Sequence, residues 1–209
     1  MCSVLDDVIP ATAGSDFSNY IVINTDGSAL NPGKPNAAAG VGVWFGHEDT
    51  RNVGAPLGPG KQTNQRAELM AVKIALDRVP PNKSVLIRSD SMYAIQGLTE
   101  NACGWQRESW KTAKGLHMEN ENLVQKIQEL LRVRSLLRAE TKFYWAKGHS
   151  GDLGNEAADK LAGIGSRKAL SDLRERKLAS RNYRKKRMAS IKAKALPVIS
   201  TAQECGRDN

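Results

Sequence analysis

At 209 residues, 40% of them apolar, the chain is long enough for one ordinary domain with extensions. Its net charge of +9 is confined to one end: residues 1–166 carry 18 Lys and Arg against 18 Asp and Glu, whereas residues 167–209 carry 13 against 4. A neutral body with a basic tail predicts a polyanionic partner, nucleic acid or an acidic surface. Three scattered cysteines (Cys2, Cys103, Cys205) without C-x-x-C spacing exclude a disulfide framework and a cysteine zinc site. The longest apolar run, "AAAGVGVWF", falls far short of the ~18 residues of a membrane span. The first twenty residues hold three aspartates and no Lys or Arg, unlike a secretory signal or a mitochondrial presequence. A soluble, intracellular protein without membrane attachment is expected.

In chain order, "YIVINTDGS" and "AAAGVGVWFG" read as strands, separated by a loop holding Asn31, Pro32, Gly33 and Pro35. "TRNVGAPLG" reads as an edge strand, because its Gly and Pro are costly in a sheet centre. "NQRAELMAVKIALDRV" is helical, capped by Asn64 and ended by Pro80-Pro81. "KSVLIRSD" is a short apolar strand leading into the helix "SMYAIQGL". After an irregular segment, "ENLVQKIQELLRVRSLL" is an amphipathic helix with Leu123, Ile127, Leu130 and Leu131 at helical spacing. "ETKFYWAKG" is the last strand and "LGNEAADKLAGIG" the last core helix; residues 167–195 can prolong it, with a thin apolar stripe. Short loops make the first three strands an antiparallel meander, and helical crossovers add the later strands in parallel. The prediction is an α/β fold, a mixed five-stranded sheet flanked by helices on both faces.

Four carboxylates stand at the ends of these elements. Asp26 closes the first strand in "TDGS", where it also reads as an ordinary turn residue. Glu68 shares a helical stripe with Val72, Ala75 and Val79, which makes it either a buried carboxylate or one at the stripe's edge. Asp90 closes "VLIRSD", where an N-cap is the plain alternative. Asp159 falls in the first two turns of the last helix, where the dipole favours a negative charge. If the four converge, they repel unless divalent cations bind them, and Mg²⁺ suits carboxylates plus phosphate. Two such ions roughly 4 Å apart are the apparatus for in-line displacement at phosphorus.

"TDGS", "TNQRAEL", "RSDSMYAI" and "KGHSGDLGNEAADKLA", in this order and spacing, closely resemble type 1 ribonuclease H, particularly its eukaryotic form, from about Tyr20 to Ser166. The resemblance implies the ribonuclease H-like fold and an endonuclease that cuts the RNA strand of RNA–DNA hybrids, leaving 5′-phosphate and 3′-hydroxyl ends. It implies two Mg²⁺ ions, with Mn²⁺ as a substitute, held by Asp26, Glu68, Asp90 and Asp159. It makes His149 the family's mobile histidine, assisting turnover and product release, with Gly148 and Gly151 letting its loop swing.

The same resemblance assigns substrate contacts. Glu68, Met92 and the backbone around Gly27 and Ser28 match residues that meet RNA 2′-hydroxyls, the group that distinguishes RNA from DNA. Lys61, Thr63 and Asn120 match a pocket for a DNA phosphate, and Asn64 and Gln65 match groove contacts. Lys61 stands where eukaryotic relatives often have arginine, which keeps the charge but loses bidentate geometry. "NACGWQRESWKTAKGLHMEN" interleaves Trp105 and Trp110 with Arg107, Lys111 and Lys114, a composition suited to sugar stacking and phosphate contact. Trp105 resembles a DNA-channel tryptophan whose usual aromatic companion is Asn101 here; Trp110 is expected to pack in the core.

The resemblance divides the chain into a flexible lead over 1–19, a catalytic domain over 20–166 and a basic extension over 167–209. The extension reads as a solvated tail or nuclear-import signal, or as a substitute for the small hybrid-binding domain with which eukaryotic relatives commonly begin. A nuclear, monomeric enzyme is expected. An exonuclease of the same fold would place an Asp-x-Glu pair on the first strand, where Asp26-Gly27-Ser28 stands, and an integrase-like enzyme would lack the Gly-His-Ser-Gly loop. The remaining alternative is a non-catalytic hybrid-binding module or a ribonuclease H fragment derived from a retroelement. The start methionine and the absence of polymerase sequence favour a free-standing enzyme, and all four carboxylates being present favours activity.

Overall fold

The computed structural model describes residues 8–9, 17–111, 115–148 and 150–204. His149, Lys114, Cys2 and Cys205, named above, lie outside the described residues, as does most of the lead. In chain order the elements are β1 (Val8–Ile9), β2 (Ile21–Leu30), β3 (Ala38–Trp44), β4 (Val53–Pro56), α1 (Asn64–Asp77), β5 (Val85–Ser89) and α2 (Met92–Gln96). A π-helical turn, Gly97–Asn101, joins α2 to α3 (Ala102–Arg107); then come α4 (Glu121–Leu136), β6 (Thr141–Trp145) and α5 (Leu153–Glu204). The chain forms two compact units, Met1–Leu170 and Ser171–Asn209.

The sheet order is β1-β6-β5-β2-β3-β4. The meander β2–β3–β4 is antiparallel, and β5 and β6 add in parallel after their helical crossovers, giving the mixed five-stranded sheet expected. The short strand β1 adds a sixth, pairing Val8 with Phe143 and Ile9 with Tyr144 along β6. Nothing in the polar residues around Val8 announced it; two residues carry no periodicity, and the open edge of β6 recruits them.

Local readings shift at three points. Asp26 lies inside β2, opposite Gly42 of β3, so the strand runs on through the Asp-Gly pair instead of turning there. Ladder pairing over seven consecutive residues, Asn24↔Trp44 to Leu30↔Ala38, outweighs the local turn preference. The cap of α1 is Thr63, whose hydroxyl accepts from the Arg66 N–H at 3.3 Å, and Asn64 is the first helical residue. The first stretch expected to be irregular is helical, as α3.

Helices cover both faces of the sheet. On one face α1 lies across β2 and β3 and packs against α4, closing a core of Ile23, Val41, Leu69, Val72, Ile87, Leu98, Leu123, Ile127 and Phe143. On the other, the first turns of α5 lie against β3. That approach needs Gly42: a Cβ there would sit 2.0 Å from the Ala158 carbonyl oxygen and 2.7 Å from the Ala162 nitrogen. Gly42→Ala is therefore expected to destabilise by about 1–3 kcal/mol or more, as overpacking does. Gly104→Ala, in α3 with open space around it, is expected to be neutral or to stabilise by up to about 1 kcal/mol through helix propensity. Urea unfolding of the two variants side by side tests the packing, since the same substitution should have opposite signs.

Along α4 the stripe Leu123, Val124 and Ile127 is buried, with Leu130 and Leu131 packed against the core. One heptad after Ile127 stands Arg134, only 2% exposed. Its guanidinium donates to Thr141 Oγ1 at 3.2 Å and to the carbonyls of Pro80 and Lys83, so it fastens α4 to β6 and to the loop before β5 without a carboxylate.

Candidate active site

Pairing between the parallel strands β2 and β5 ends at Asn24↔Arg88. Two residues beyond that pair stand Asp26, still within β2, and Asp90, just past the end of β5, where the two parallel strands part. Such crevices are where open α/β sheets place their ligands. Helix α1 delivers the third carboxylate. Glu68 is on its buried stripe with Val72 and Ala75, at 4% exposure, so the edge position is ruled out; Val79, also buried, follows the helix end. Gly27 lets the helix come close enough, because a Cβ there would lie 2.4 Å from the Glu68 nitrogen.

Asp26, Glu68 and Asp90 each present a carboxylate oxygen within 4.8 Å of the others. Asp26 is 7% exposed; burial, then the Asp90 charge and the Asp159 charge, push its carboxyl up to about 7 against the pull of the Gly27 N–H. Burial, then Asp26 and Asp90, push Glu68 well above the usual carboxylate range. Among the described residues none of the three pairs with a lysine or arginine. Asn64 Nδ2 donates to Glu68 Oε1 at 3.3 Å, while Glu68 Oε2 is buried without a donor among the described residues. Buried acceptors left unpaired beside like charges are costly, and an oxygen-seeking divalent cation removes both costs. The donor set fits such a metal.

Asp90 is not a cap: Ser91 caps α2, accepting from the Ala94 N–H at 3.2 Å. Its surroundings hold it from three sides. Asn155 Nδ2 donates to Asp90 Oδ2 at 3.2 Å, Trp145 Nε1 donates to the Asp90 carbonyl at 3.1 Å, and Gly148 lies so close that a Cβ would be 2.7 Å from Oδ2. Gly148 thus makes room for a carboxylate, whereas Gly151, at φ +83°, takes the left-handed conformation that favours glycine. Asp159 occupies the second turn of α5, exposed and outside the three-carboxylate cluster, although its charge reaches Asp26.

Asn155 is set by an ion pair beside the cluster. Asp152 precedes α5 and accepts the Gly154 and Asn155 N–H groups on Oδ1, each at 3.0 Å, while Oδ2 takes Arg88 Nη2 at 2.5 Å. Partial burial raises the Asp152 carboxyl, but the Asn155 N–H, Arg88 and the Gly154 N–H outweigh it and hold it below its usual range. Arg88 is the last β5 residue paired with β2. One carboxylate therefore registers the start of α5 on the strand that ends in Asp90. Sequence reading passed over Arg88, Asp152, Asn155 and Trp145; the Asp152-x-x-Asn155 spacing at a helix start was the one available signal.

The residues expected to meet substrate fall into separate groups. Ser28 continues β2 and shares a hydrogen bond with Ser166 of α5 at 3.3 Å; Met92 opens α2 at 43% exposure; Gln65 is exposed on the first turn of α1. Thr63 and Asn120 come together around Arg66, whose backbone donates to Thr63 and whose Nη1 donates to Asn120 Oδ1 at 3.3 Å. Asn120 adopts a left-handed conformation (φ 63°) and also donates to Tyr93 at 3.3 Å. Lys61 pairs with Glu119 at 2.7 Å, one residue from Asn120, so an incoming anion would compete with that carboxylate. Trp105 and Trp110 are half-buried against the core.

A mixed sheet of this order with acidic residues at the parting of two parallel strands defines a class, and residues 18–167 match it: the chain belongs to the RNase H family. It is 39% identical over 149 residues to Ribonuclease H of Schizosaccharomyces pombe, covering 71% of this chain and 54% of that protein. It is 35% identical over 158 residues to Ribonuclease H1 of Homo sapiens, covering 74% and 53%. The chain thus spans little more than half the length of these relatives. Among solved structures, the foamy viral protease-reverse transcriptase in complex with RNA/DNA hybrid superposes at a TM-score of 0.53 and 25% identity, over 71% of this chain and 20% of that one.

Proposed function

We propose that this chain is an endonuclease that hydrolyses the RNA strand of RNA–DNA hybrids with two Mg²⁺ ions, giving 5′-phosphate and 3′-hydroxyl ends. The observation that carries the proposal is the cluster of Asp26, Glu68 and Asp90 at the parting of β2 and β5, without a lysine or arginine partner among the described residues, in a chain of the RNase H family. These three would hold the metal, with Asp159 contributing from α5. Divalent cations bound there supply a nucleophilic water and charge stabilisation at the leaving oxygen. The chain's own part is to hold the carboxylates in place: ladder pairing with β3 fixes Asp26, α1 fixes Glu68, and Asp90, just past β5, is held by Trp145 and oriented by Asn155. Met92, Ser28 and the backbone at Gly27 stand beside the cluster and would meet the RNA strand; Thr63, Asn120 and Lys61 would receive a DNA phosphate.

Asn155→Ala is expected to weaken divalent-cation affinity about 10–100-fold, the usual effect of removing a partner that orients a ligand, and calorimetric titration of Mg²⁺ checks it. The proposal itself is tested with end-labelled RNA–DNA, RNA–RNA and DNA–DNA duplexes in Mg²⁺. Cleavage restricted to the RNA of the hybrid supports it; a folded protein that binds the hybrid without cutting it would leave a binding module instead.

A further inference from the structure

The second unit carries most of the charge excess noted in the sequence, and its helical periodicity leaves one face basic and free of acids. Between Ser171 and Ile191 the helix bears eight Lys and Arg against Asp172 and Glu175. At about 100° per residue, Arg174, Lys177, Arg181, Arg184 and Lys185 fall within an arc of about 100°, with Met188 among them. Asp172 and Glu175 fall on the opposite side, roughly 120–180° from the middle of that arc. All five cations are exposed, and Lys177, Arg181, Arg184, Lys185 and Met188 line one shallow hollow along the helix. A helix decorated only for solubility intersperses the signs on every face. This one keeps both acids off the arc, while Arg176, Lys186 and Arg187 share the far side with them.

We infer that this face of the C-terminal helix is a docking surface for the phosphate backbone of duplex nucleic acid, independent of base sequence. From Arg174 to Lys185 the five cations extend over about 16 Å of helix, a length along which a duplex presents roughly nine phosphates. The five side chains therefore meet several phosphates together, and release of the duplex's condensed counterions drives the contact. In choosing nucleic acid over an acidic protein, the inference rests on the hydrolytic reading above. A basic helix on a nucleic-acid hydrolase adds affinity shared by all duplexes, leaving the choice of strand to the site in the first unit.

The test uses the full-length chain in chelator, so that nothing is cut, with a fluorescent RNA–DNA hybrid and the DNA duplex of the same sequence. Affinity is measured by anisotropy across a KCl series. Replacing Arg181, Arg184 and Lys185 together by Gln, which keeps helix propensity, is expected to reduce the slope of log affinity against log salt by about 2–3, at 0.7–0.9 per phosphate contact, on both duplexes. Replacing Arg176, Lys186 and Arg187, which lie off the arc, removes the same charge and is expected to change the slope by less than about one. Equal losses from the two triple variants would overturn the directed surface and leave a diffuse charge cloud. No loss from either would overturn nucleic-acid docking and point to an acidic protein partner, such as an import receptor. A wild-type chain that binds the DNA duplex but not the hybrid counts against the hydrolytic reading alone, because the DNA arm still decides the role of the helix.

Discussion

Asp90→Asn is expected to lower the proposed hydrolysis of the hybrid by roughly a thousandfold or more while the protein folds as well as before. The rate loss follows from what a bound cation contributes, several kcal/mol of charge stabilisation, with each 1.36 kcal/mol worth a factor of ten. The unimpaired fold follows from the site. Asp90 stands near two other carboxylates with, among the described residues, no lysine or arginine paired to any of them, so an isosteric amide removes repulsion and fills the same space. The Asn155 amide can turn to meet the new side chain, since it is both donor and acceptor. Single-turnover cleavage beside urea unfolding in chelator measures both quantities. A variant that keeps cleavage within tenfold of wild type would place the chemistry elsewhere, and a variant that no longer folds would show Asp90 to be structural.

The second large effect is on stability without metal. Asp26 titrates near 3.8 when unfolded and at about 7 when folded, and Glu68 shifts in the same direction. Between those values the native state binds more protons than the unfolded state, so stability falls as pH rises. The stabilisation is complete below about pH 4 and is lost as pH rises through about 7. The expected result is that, in chelator, the protein resists urea better at pH 5 than at pH 8. Asp26→Asn flattens the difference. Saturating Mg²⁺ reverses the trend, because cations bind the deprotonated carboxylates and stabilise only the state that holds them together. The depressed carboxyl of Asp152 does not confuse the reading, since its contribution is lost only as pH falls below the usual carboxylate range. A metal-free protein equally stable at both pH values would mean that the cluster is hydrated and relaxed.

Motif and periodicity made much of this legible. The five principal strands, the buried stripe through Glu68, and the pairing of the strands that carry Asp26 and Asp90 follow from local pattern and from the rule that helical crossovers give parallel neighbours. The misreadings share one cause: long-range pairing decided what local chemistry left open. Asp-Gly is a turn pair until seven residues of β3 hold it in a strand. Thr63 and Asn64 are both good caps, and only the helix's actual first turn chooses between them. Arg88 and Asp152 are 64 positions apart, each unexceptional alone, and no spacing announces that they meet. Arg134 falls one heptad after a core isoleucine, where periodicity asks for an apolar side chain; three oxygens from distant segments make the guanidinium acceptable there.

That buried arginine bears on how the molecule comes apart in acid. Hydrogen bonds to carbonyl and hydroxyl oxygens have no proton to gain, so the corner joining α4, β6 and the loop before β5 keeps its ties as pH falls. The Arg88–Asp152 tie at the start of α5 is a carboxylate bond and dissolves when Asp152 protonates. Acid should thus dismantle the protein from one side first: the helix that bears Asn155 and Asp159 comes loose while the α1–α4 layer still shields its amides from exchange. The side that orients Asp90 is then also the side that yields first, while the opposite corner holds.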